Sequence, residues 1–117
     1  MFAPLLQVAL GGAIGSCLRY LTVAAVGAPL AVALINVAGS FAMGVLHVAL
    51  TSRAGLSPLL MTGVLGGFTT FSAFSLDTLK LWQGGQPLTA AAYAGGSVVF
   101  SLLAVALGAA LAKGALG

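Results

Sequence analysis

The sequence predicts an all-α membrane protein with four transmembrane helices, and two features of its composition predict this class. Hydrophobic residues make up 61% of the 117 residues and charged residues only 4%, whereas a soluble domain averages roughly 25% charged residues. The four basic residues and the one acidic residue are also far apart, and they leave uncharged stretches at 1–18, 20–52, 54–76 and 81–112. A helix needs about 20 predominantly apolar residues to cross a bilayer, so each stretch can supply one span.

Turn-forming segments divide these stretches into four helices of a single transmembrane domain that covers residues 1–117. In lipid every backbone N–H and C=O must be paired within the protein, which leaves helices or closed barrels. The sequence lacks the alternation of period two that barrel strands show, so helices are favoured. Ser57 is expected to cap the third helix, with Pro58 at its first position. The predicted helices cover roughly 4–25, 30–50, 57–82 and 88–112.

The composition also excludes several classes of function. The single cysteine, Cys17, cannot form an intrachain disulfide or a cluster of thiolate ligands for a metal. A net charge of +3, scattered along the chain, does not indicate nucleic-acid binding. No nucleophile–base pair and no metal constellation can be recognised, so the chain is not expected to be an enzyme.

The charges leave the orientation of the helices in the membrane open. With four spans both termini lie on one side, so Arg53 and Lys113 lie on that side while Arg19 and Lys80 lie toward the other. Because the count is two against two, the rule that basic loops stay in the cytoplasm gives no preference. Either the signals of this short chain are weak, or the protein inserts in both orientations and pairs as an antiparallel dimer.

Polar side chains follow one face of the fourth helix and one face of the second. A single serine in a membrane helix can bond to the carbonyl four residues earlier and needs no further role. Four hydroxyls in register and an asparagine amide are harder to explain in that way, and a line of neutral donors suits a small, strongly hydrated anion. The residues are Thr89, Tyr93, Ser97 and Ser101 in the fourth helix, and Asn36, Ser40 and His47 in the second. His47 lies near the membrane edge and is given no role.

The third helix is expected to break near residues 66–70, where two glycines and two threonines adjoin Phe68. Both residue types weaken a helix, glycine through entropy and threonine through crowding at χ1. Unwound backbone at this depth must be buried or line a cavity, and its free carbonyls suit a small cation such as Na⁺. Phe71 and Phe74 lie on one face after the break. They are either ordinary core or lipid-facing residues, or a pair whose positive ring edges line the path of an anion.

Glycine pairs in two helices predict close helix packing. Gly11 and Gly15 in the first helix, and Gly63 and Gly67 in the third, are each separated by three residues. Small residues at this spacing allow two membrane helices to approach closely.

Three segments together resemble the signatures of the Fluc/CrcB fluoride channels. They are residues 12–20 (GAIGSCLRY), 36–44 (NVAGSFAMG) and 66–74 (GGFTTFSAF), and the third is highly specific. The resemblance covers the whole chain in length, number of spans and order of motifs. It implies a fluoride-selective channel that exports F⁻ passively and so relieves fluoride toxicity, as a dual-topology homodimer with two antiparallel pores in the inner (plasma) membrane.

The resemblance also implies roles for individual residues. The backbone carbonyls of Gly66 and Thr69 would hold a structural Na⁺ at the dimer interface, two from each subunit. Arg19 would have a structural role or lie in a vestibule at one end of the pore. The fluoride pore would be lined by the Asn36 amide, the phenylalanine edges of Phe71 and Phe74, and the helix-four residues Tyr93, Ser97 and Ser101.

The sequence departs from the family pattern at three positions, and one other class of transporter has a similar size. Ala73 stands where a hydroxyl residue is common, and Asp77 where glutamate is common. Val32 stands where a threonine often precedes the asparagine by one turn, and this replacement would remove a hydroxyl from the pore.

The alternative function is a small proton-coupled multidrug transporter. It is disfavoured because such export needs a carboxylate within the membrane, usually in the first helix, and the only acid here is Asp77.

Overall fold

The computed structural model describes residues 2–116, and it is built from helices without any strand in that part of the chain. Four helical stretches among the described residues are long and apolar enough to cross a membrane, and the third of them joins α3 to α4. The predicted all-α membrane fold with four such helices is therefore confirmed. The helices are α1 (Phe2–Val26), α2 (Leu30–Ala49), α3 (58–68, made of the π-helix Pro58–Leu65 and the α-helical turn Gly66–Phe68), α4 (Phe71–Gln83) and α5 (Pro87–Leu116).

The cap of α3 and the end of α5 differ from the prediction, whereas Pro58 is the first residue of α3 as expected. Ser57 does not cap α3, because its own backbone is already helical (φ −58°, ψ −44°) and its hydroxyl lies 3.4 Å from Met61 Sδ. The short 3₁₀ turn Ala54–Leu56 leads directly into the helix at this point, with Pro58 as its first residue. The last helix continues to Leu116, beyond the predicted end near residue 112. Lys113 lies in its final turn, where a positive charge interacts favourably with the helix dipole.

Glycines bring α1 and α3 into direct backbone contact, and the close packing expected at both glycine pairs is thereby confirmed. A Cβ added at Gly15 would overlap the carbonyl oxygen of Val64, and one added at Gly67 would lie 2.7 Å from the carbonyl oxygen of Gly12. The α2–α5 contact is built in the same way. There Gly44 abuts the carbonyl of Val105, and Gly108 abuts the carbonyl of Phe41. We call these two contacts the glycine seams.

Two extended residues separate α3 from α4. Thr69 (φ −79°, ψ 156°) and Thr70 (φ −154°, ψ 126°) both have extended backbone, whereas Gly66 is still helical (φ −63°, ψ −35°). Thr70 then caps α4, since its Oγ1 accepts a hydrogen bond from the Ala73 N–H at 3.2 Å. The chain therefore leaves the helical conformation at the threonines, and the neighbouring glycines stay within the helix.

Candidate functional site

A groove of about 380 Å³ lies where α2 and α5 meet the extended segment between α3 and α4. It brings together Asn36 from α2, Phe71 and Phe74 from α4, and Ser97 and Ser101 from α5. None of the described residues that line the groove carries a charge. The full lining consists of Asn36, Gly39, Ser40, Met43, Thr69, Thr70, Phe71, Phe74, Ser97, Val98, Ser101, Leu102 and Val105.

The serines of the groove differ from hydroxyls elsewhere in the helices. Thr22, Ser75 and Thr78 each donate to the carbonyl four residues earlier, at 2.8 to 2.9 Å. Ser101 Oγ is instead buried and has no hydrogen-bond partner within residues 2–116, and Ser97 is only 8% exposed. A buried hydroxyl without a partner is costly, so Ser101 is suited to donating to something that enters the groove.

Aromatic rings form one wall of the groove. The ring centroids of Phe71 and Phe74 are 5.6 Å apart with planes tilted by 49°. The Phe74 ring in turn lies 5.4 Å from the Tyr93 ring, at 34°. Phe74 is buried at 9% exposure, whereas Phe71 is 77% exposed in the single chain. Tilted rings can direct positive edges into a groove, and both Phe71 and Phe74 line this one.

The hydroxyls at the start of the α5 face lie outside the groove. Thr89 is exposed, and Tyr93 extends past Phe74 to place its hydroxyl 3.5 Å from Asp77 Oδ2. In α2, His47 is exposed and likewise lies outside the lining. The structure thus brings Tyr93 close to the groove through its contact with Phe74, but the groove is lined by Ser97 and Ser101 alone among the four in-register hydroxyl residues of α5.

Asn36 contacts the extended segment with both ends of its amide. Its Oδ1 accepts from the Thr70 N–H at 2.8 Å, and its Nδ2 donates to the Thr70 carbonyl at 3.0 Å. One hydrogen on Nδ2 remains for another acceptor, because a primary amide has two. Asn36 therefore has a structural contact in addition to any contact with a ligand.

The carbonyls of Gly66 and Thr69 have lost the donors that a continuous helix would give them. In an α-helix these donors would be the N–H groups of Thr70 and Ala73. Here Thr70 donates to Asn36 Oδ1 and Ala73 donates to Thr70 Oγ1. Carbonyl oxygens in this situation are suitable ligands for a hard cation.

Arg19 has a defined contact with α3, just before the extended segment. Its Nε donates to the Gly67 carbonyl at 3.1 Å, across 48 residues of sequence. It also lines a second cavity of about 360 Å³ together with Val32, Ala73 and Asp77. Val32 is 2% exposed and lines this second cavity and not the groove, so any hydroxyl that it replaces would lie outside the groove.

Comparison with known proteins decides the family. A family model described as CrcB-like protein, Camphor Resistance (CrcB), matches residues 6–109. This chain belongs to the CrcB family. The resemblance seen in the three motifs is thereby confirmed.

Curated CrcB relatives match over almost their full length. A protein of Paracoccus denitrificans (strain Pd 1222) is 52% identical over 116 residues, which cover 93% of this chain and 94% of the relative. A protein of Cereibacter sphaeroides (strain ATCC 17029) is 50% identical, with coverage of 97% and 98%, and one of Chelativorans sp. (strain BNC1) is 50% identical, with coverage of 93% and 95%. Each is named "Fluoride-specific ion channel FluC", which agrees with the expectation that the chain is not an enzyme.

Two residues of the site were not singled out by the sequence. Thr70 was expected only to weaken the helix, yet it caps α4 and binds Asn36 through its backbone. A threonine that precedes a new helical turn is a recognisable capping signal, so its role at α4 could have been found. Gly39 also lines the groove, and the Thr69 methyl occupies the space of its missing Cβ. No feature of the sequence indicates that contact.

Proposed function

We propose that this protein is a fluoride-selective channel that exports F⁻ passively down its electrochemical gradient and so relieves fluoride toxicity. The observation that carries the proposal is the uncharged groove, where the buried Ser101 hydroxyl has no partner within residues 2–116. The buried Ser97, the Asn36 amide and two phenylalanine rings line the same groove. Conduction requires binding that is strong enough to replace hydration and weak enough to release the ion. Neutral donors and ring edges meet this requirement better than a fixed positive charge, which would hold the anion. The names of the relatives support the same ion.

Export driven by the membrane potential requires no site that couples fluoride movement to another energy source. We place the protein as a multi-pass protein in the inner (plasma) membrane, where a potential that is negative inside moves anions outward. This potential supplies roughly 2.3 kcal/mol per elementary charge and 100 mV. A protein that only selects and conducts is sufficient under these conditions.

The functional unit that we propose is an antiparallel homodimer. One copy leaves the groove open on the side where Phe71 is 77% exposed, so a single chain does not enclose an ion path in lipid. A second copy would close it and repeat it by symmetry. The even division of basic residues, with Arg19 and Lys80 toward one side and Arg53 and Lys113 toward the other, supports insertion in both orientations.

We also propose that the segment at Thr69 and Thr70 is a functional break in the third transmembrane span that holds a Na⁺ ion. The carbonyls of Gly66 and Thr69 fit this ion because each has lost its helical donor to a side chain. Two such carbonyls from each copy would give four oxygen ligands at the dimer interface. Unwound carbonyls within membrane helices are known ligands for Na⁺, and the ion would keep these oxygens from repelling one another.

A small proton-coupled multidrug transporter fits the structure less well. Such a mechanism needs a carboxylate on the transport path, and α1 contains no acidic residue. Asp77 is half-buried beside Tyr93 and lines two smaller cavities, but it does not line the groove.

Proteoliposomes containing the purified protein test the proposed channel directly. Vesicles loaded with potassium fluoride should release fluoride, measured by an external fluoride electrode, when valinomycin lets K⁺ leave with it. Vesicles loaded with potassium chloride should not release chloride. Empty vesicles give the background. Fluoride release no faster than this background, or chloride release at the same rate, would show that the protein is not a fluoride-selective channel.

A further inference from the structure

Asn36 and Thr70 form a reciprocal pair of hydrogen bonds between two parts of the chain that are 34 residues apart. Oδ1 accepts from the Thr70 N–H at 2.8 Å and Nδ2 donates to the Thr70 carbonyl at 3.0 Å. This is the exchange of two bonds that paired residues make in an antiparallel sheet, with a side-chain amide in place of one strand. Because the Thr70 N–H can only donate and the Thr70 carbonyl can only accept, Oδ1 must face the N–H and Nδ2 must face the carbonyl.

This pair determines where the helical hydrogen bonds stop. The Thr70 N–H would close on the Gly66 carbonyl if the helix continued, and Asn36 Oδ1 takes that donor instead. The same exchange occurs one turn later, where Thr70 Oγ1 takes the Ala73 N–H from the Thr69 carbonyl. Each of the two carbonyls that we assign to the cation is therefore kept free by one identifiable side chain.

The helix that carries Asn36 is shaped to bring this amide close to the extended segment. Gly39 follows Asn36 by one turn and is buried, and the Thr69 methyl lies where a Cβ would be. An alanine here would push Thr69 away from α2. The close approach and the paired bonds thus fix the same two threonines from the same helix.

We infer that Asn36 is a positioning residue for the cation site as well as a groove donor, because its Oδ1 holds Thr70 away from Gly66 and keeps the Gly66 carbonyl free to bind Na⁺. This inference rests on the proposed channel and its Na⁺ site. One side chain then serves both ions: the acceptor end supports the cation site, and the second hydrogen of Nδ2 remains for the anion in the groove. The break persists because of this tertiary contact, and not because of local helix propensity alone.

Two substitutions separate the acceptor from the donor. Asn36→Asp keeps an oxygen for the Thr70 N–H but removes the amide hydrogens, whereas Asn36→Leu has a similar size and removes both. The measurement is the midpoint of thermal unfolding of the purified full-length dimer, titrated with NaCl in a choline chloride background of constant ionic strength. Ala38→Leu is the matched control, since it places the same leucine at an exposed position of α2.

We expect the stabilisation by Na⁺ to persist in wild type, in Ala38→Leu and in Asn36→Asp, with half-saturating Na⁺ concentrations within about tenfold of one another. In Asn36→Leu the Thr70 N–H can return to the Gly66 carbonyl, so the half-saturating concentration should rise more than tenfold. Fluoride efflux should be lost in both Asn36 variants, because neither offers the groove an amide hydrogen. Asn36→Asp is therefore the only variant expected to lose fluoride efflux and keep its stabilisation by Na⁺.

An unchanged Na⁺ response in a folded Asn36→Leu dimer would overturn the inference, and so would an Asn36→Asp dimer that loses the response as fully as Asn36→Leu. A wild-type protein that exports fluoride without any response to Na⁺ would refute the cation site and, with it, the role of Asn36 there, while leaving the channel proposal intact. If Asn36→Leu does not fold, amide hydrogen exchange decides. The Thr70 N–H should exchange slowly in wild type and in Asn36→Asp despite its extended backbone, and fast exchange in wild type would contradict the inference.

Discussion

The helices are packed in opposite ways at the glycine seams and at the groove. At the seams side chains are absent, and backbone meets backbone so closely that an added Cβ at Gly15 or Gly108 would overlap a carbonyl oxygen on the facing helix. In the groove, only a short distance along α2 and α5, side chains hold the helices apart and leave about 380 Å³ open. Two buried side-chain atoms have no hydrogen-bond partner within residues 2–116: Ser101 Oγ lies in the groove, and Gln7 Oε1 belongs to α1.

This difference separates residues that hold the fold from residues that face a ligand. A membrane helix gains nothing from burying apolar groups against other helices rather than against lipid, so close backbone packing provides much of its stability. The seams supply that packing and can hold α2, α5 and the extended segment at fixed distances. The groove then tolerates an unpaired hydroxyl, which would be costly at a site with no ligand. Substitutions at the seams should therefore change stability, and substitutions in the groove should change transport.

The largest expected effect is at a seam. Gly15→Leu places a side chain where the Val64 carbonyl already lies, so α1 and α3 must separate. Overpacking of a close contact typically costs 1–3 kcal/mol and occasionally more, and here the obstacle is backbone that cannot rotate away. We expect little or no folded protein by size-exclusion chromatography and thermal unfolding in detergent.

Gly12→Leu is the control for this substitution, because nothing lies within 4 Å of a Cβ built at Gly12. It should fold and unfold at nearly the wild-type temperature. If both variants fold equally well, the α1–α3 seam is not the rigid contact described here.

The second effect should appear in transport alone. Phe71 is 77% exposed in the single chain, so Phe71→Ile removes little packing within it but removes the ring edge from the mouth of the groove. We expect fluoride efflux from proteoliposomes to fall to the rate of empty vesicles, while the dimer and its unfolding temperature stay close to those of wild type. Normal efflux would show that the ring has no part in conduction, and loss of the dimer would assign Phe71 to the fold.

Much of this architecture can be predicted from the sequence because lipid imposes simple rules. Long uncharged stretches without the alternation of barrel strands predict helices, and glycines spaced by four residues predicted close packing, which the structure confirms between α1 and α3. The groove residues Asn36, Ser97 and Ser101 could be selected by helical spacing alone, since a polar side chain in lipid needs a partner. These inferences depend on local periodicity, which a sequence shows directly.

Contacts between distant parts of the chain could not be predicted in this way. The sequence indicated a weak point at residues 66–70 but not which of these residues leaves the helix. The Thr70 backbone is hydrogen-bonded to Asn36, which is 34 residues away. The sequence places Val32 one turn before Asn36, but only the packing of α2 shows that Val32 lines the second cavity while Asn36 lines the groove. Ser57 has the right residue type for a cap, yet the turn before it is already helical.

The smallest of the three effects is also the most direct test of the contrast between seam and groove. Ser101→Ala removes a buried hydroxyl that has no partner within residues 2–116. Such a group costs about 1–3 kcal/mol when nothing satisfies it, so its removal should leave the unfolding temperature unchanged or raise it. If the hydroxyl donates to fluoride in transit, efflux should fall by roughly threefold to tenfold, which corresponds to one hydrogen bond of about 0.5–1.5 kcal/mol.

Ser75→Ala is the matched control, because the Ser75 hydroxyl donates to the Phe71 carbonyl on the exposed side of α4. Its removal should leave efflux unchanged. Equal efflux in Ser101→Ala and wild type would mean that the unpaired hydroxyl has no contact with the ion. A lower unfolding temperature would mean that a second copy of the chain satisfies it. Unimpaired stability together with reduced efflux indicates a hydroxyl that donates to the anion. A hydroxyl that serves packing would instead lower the stability when it is removed.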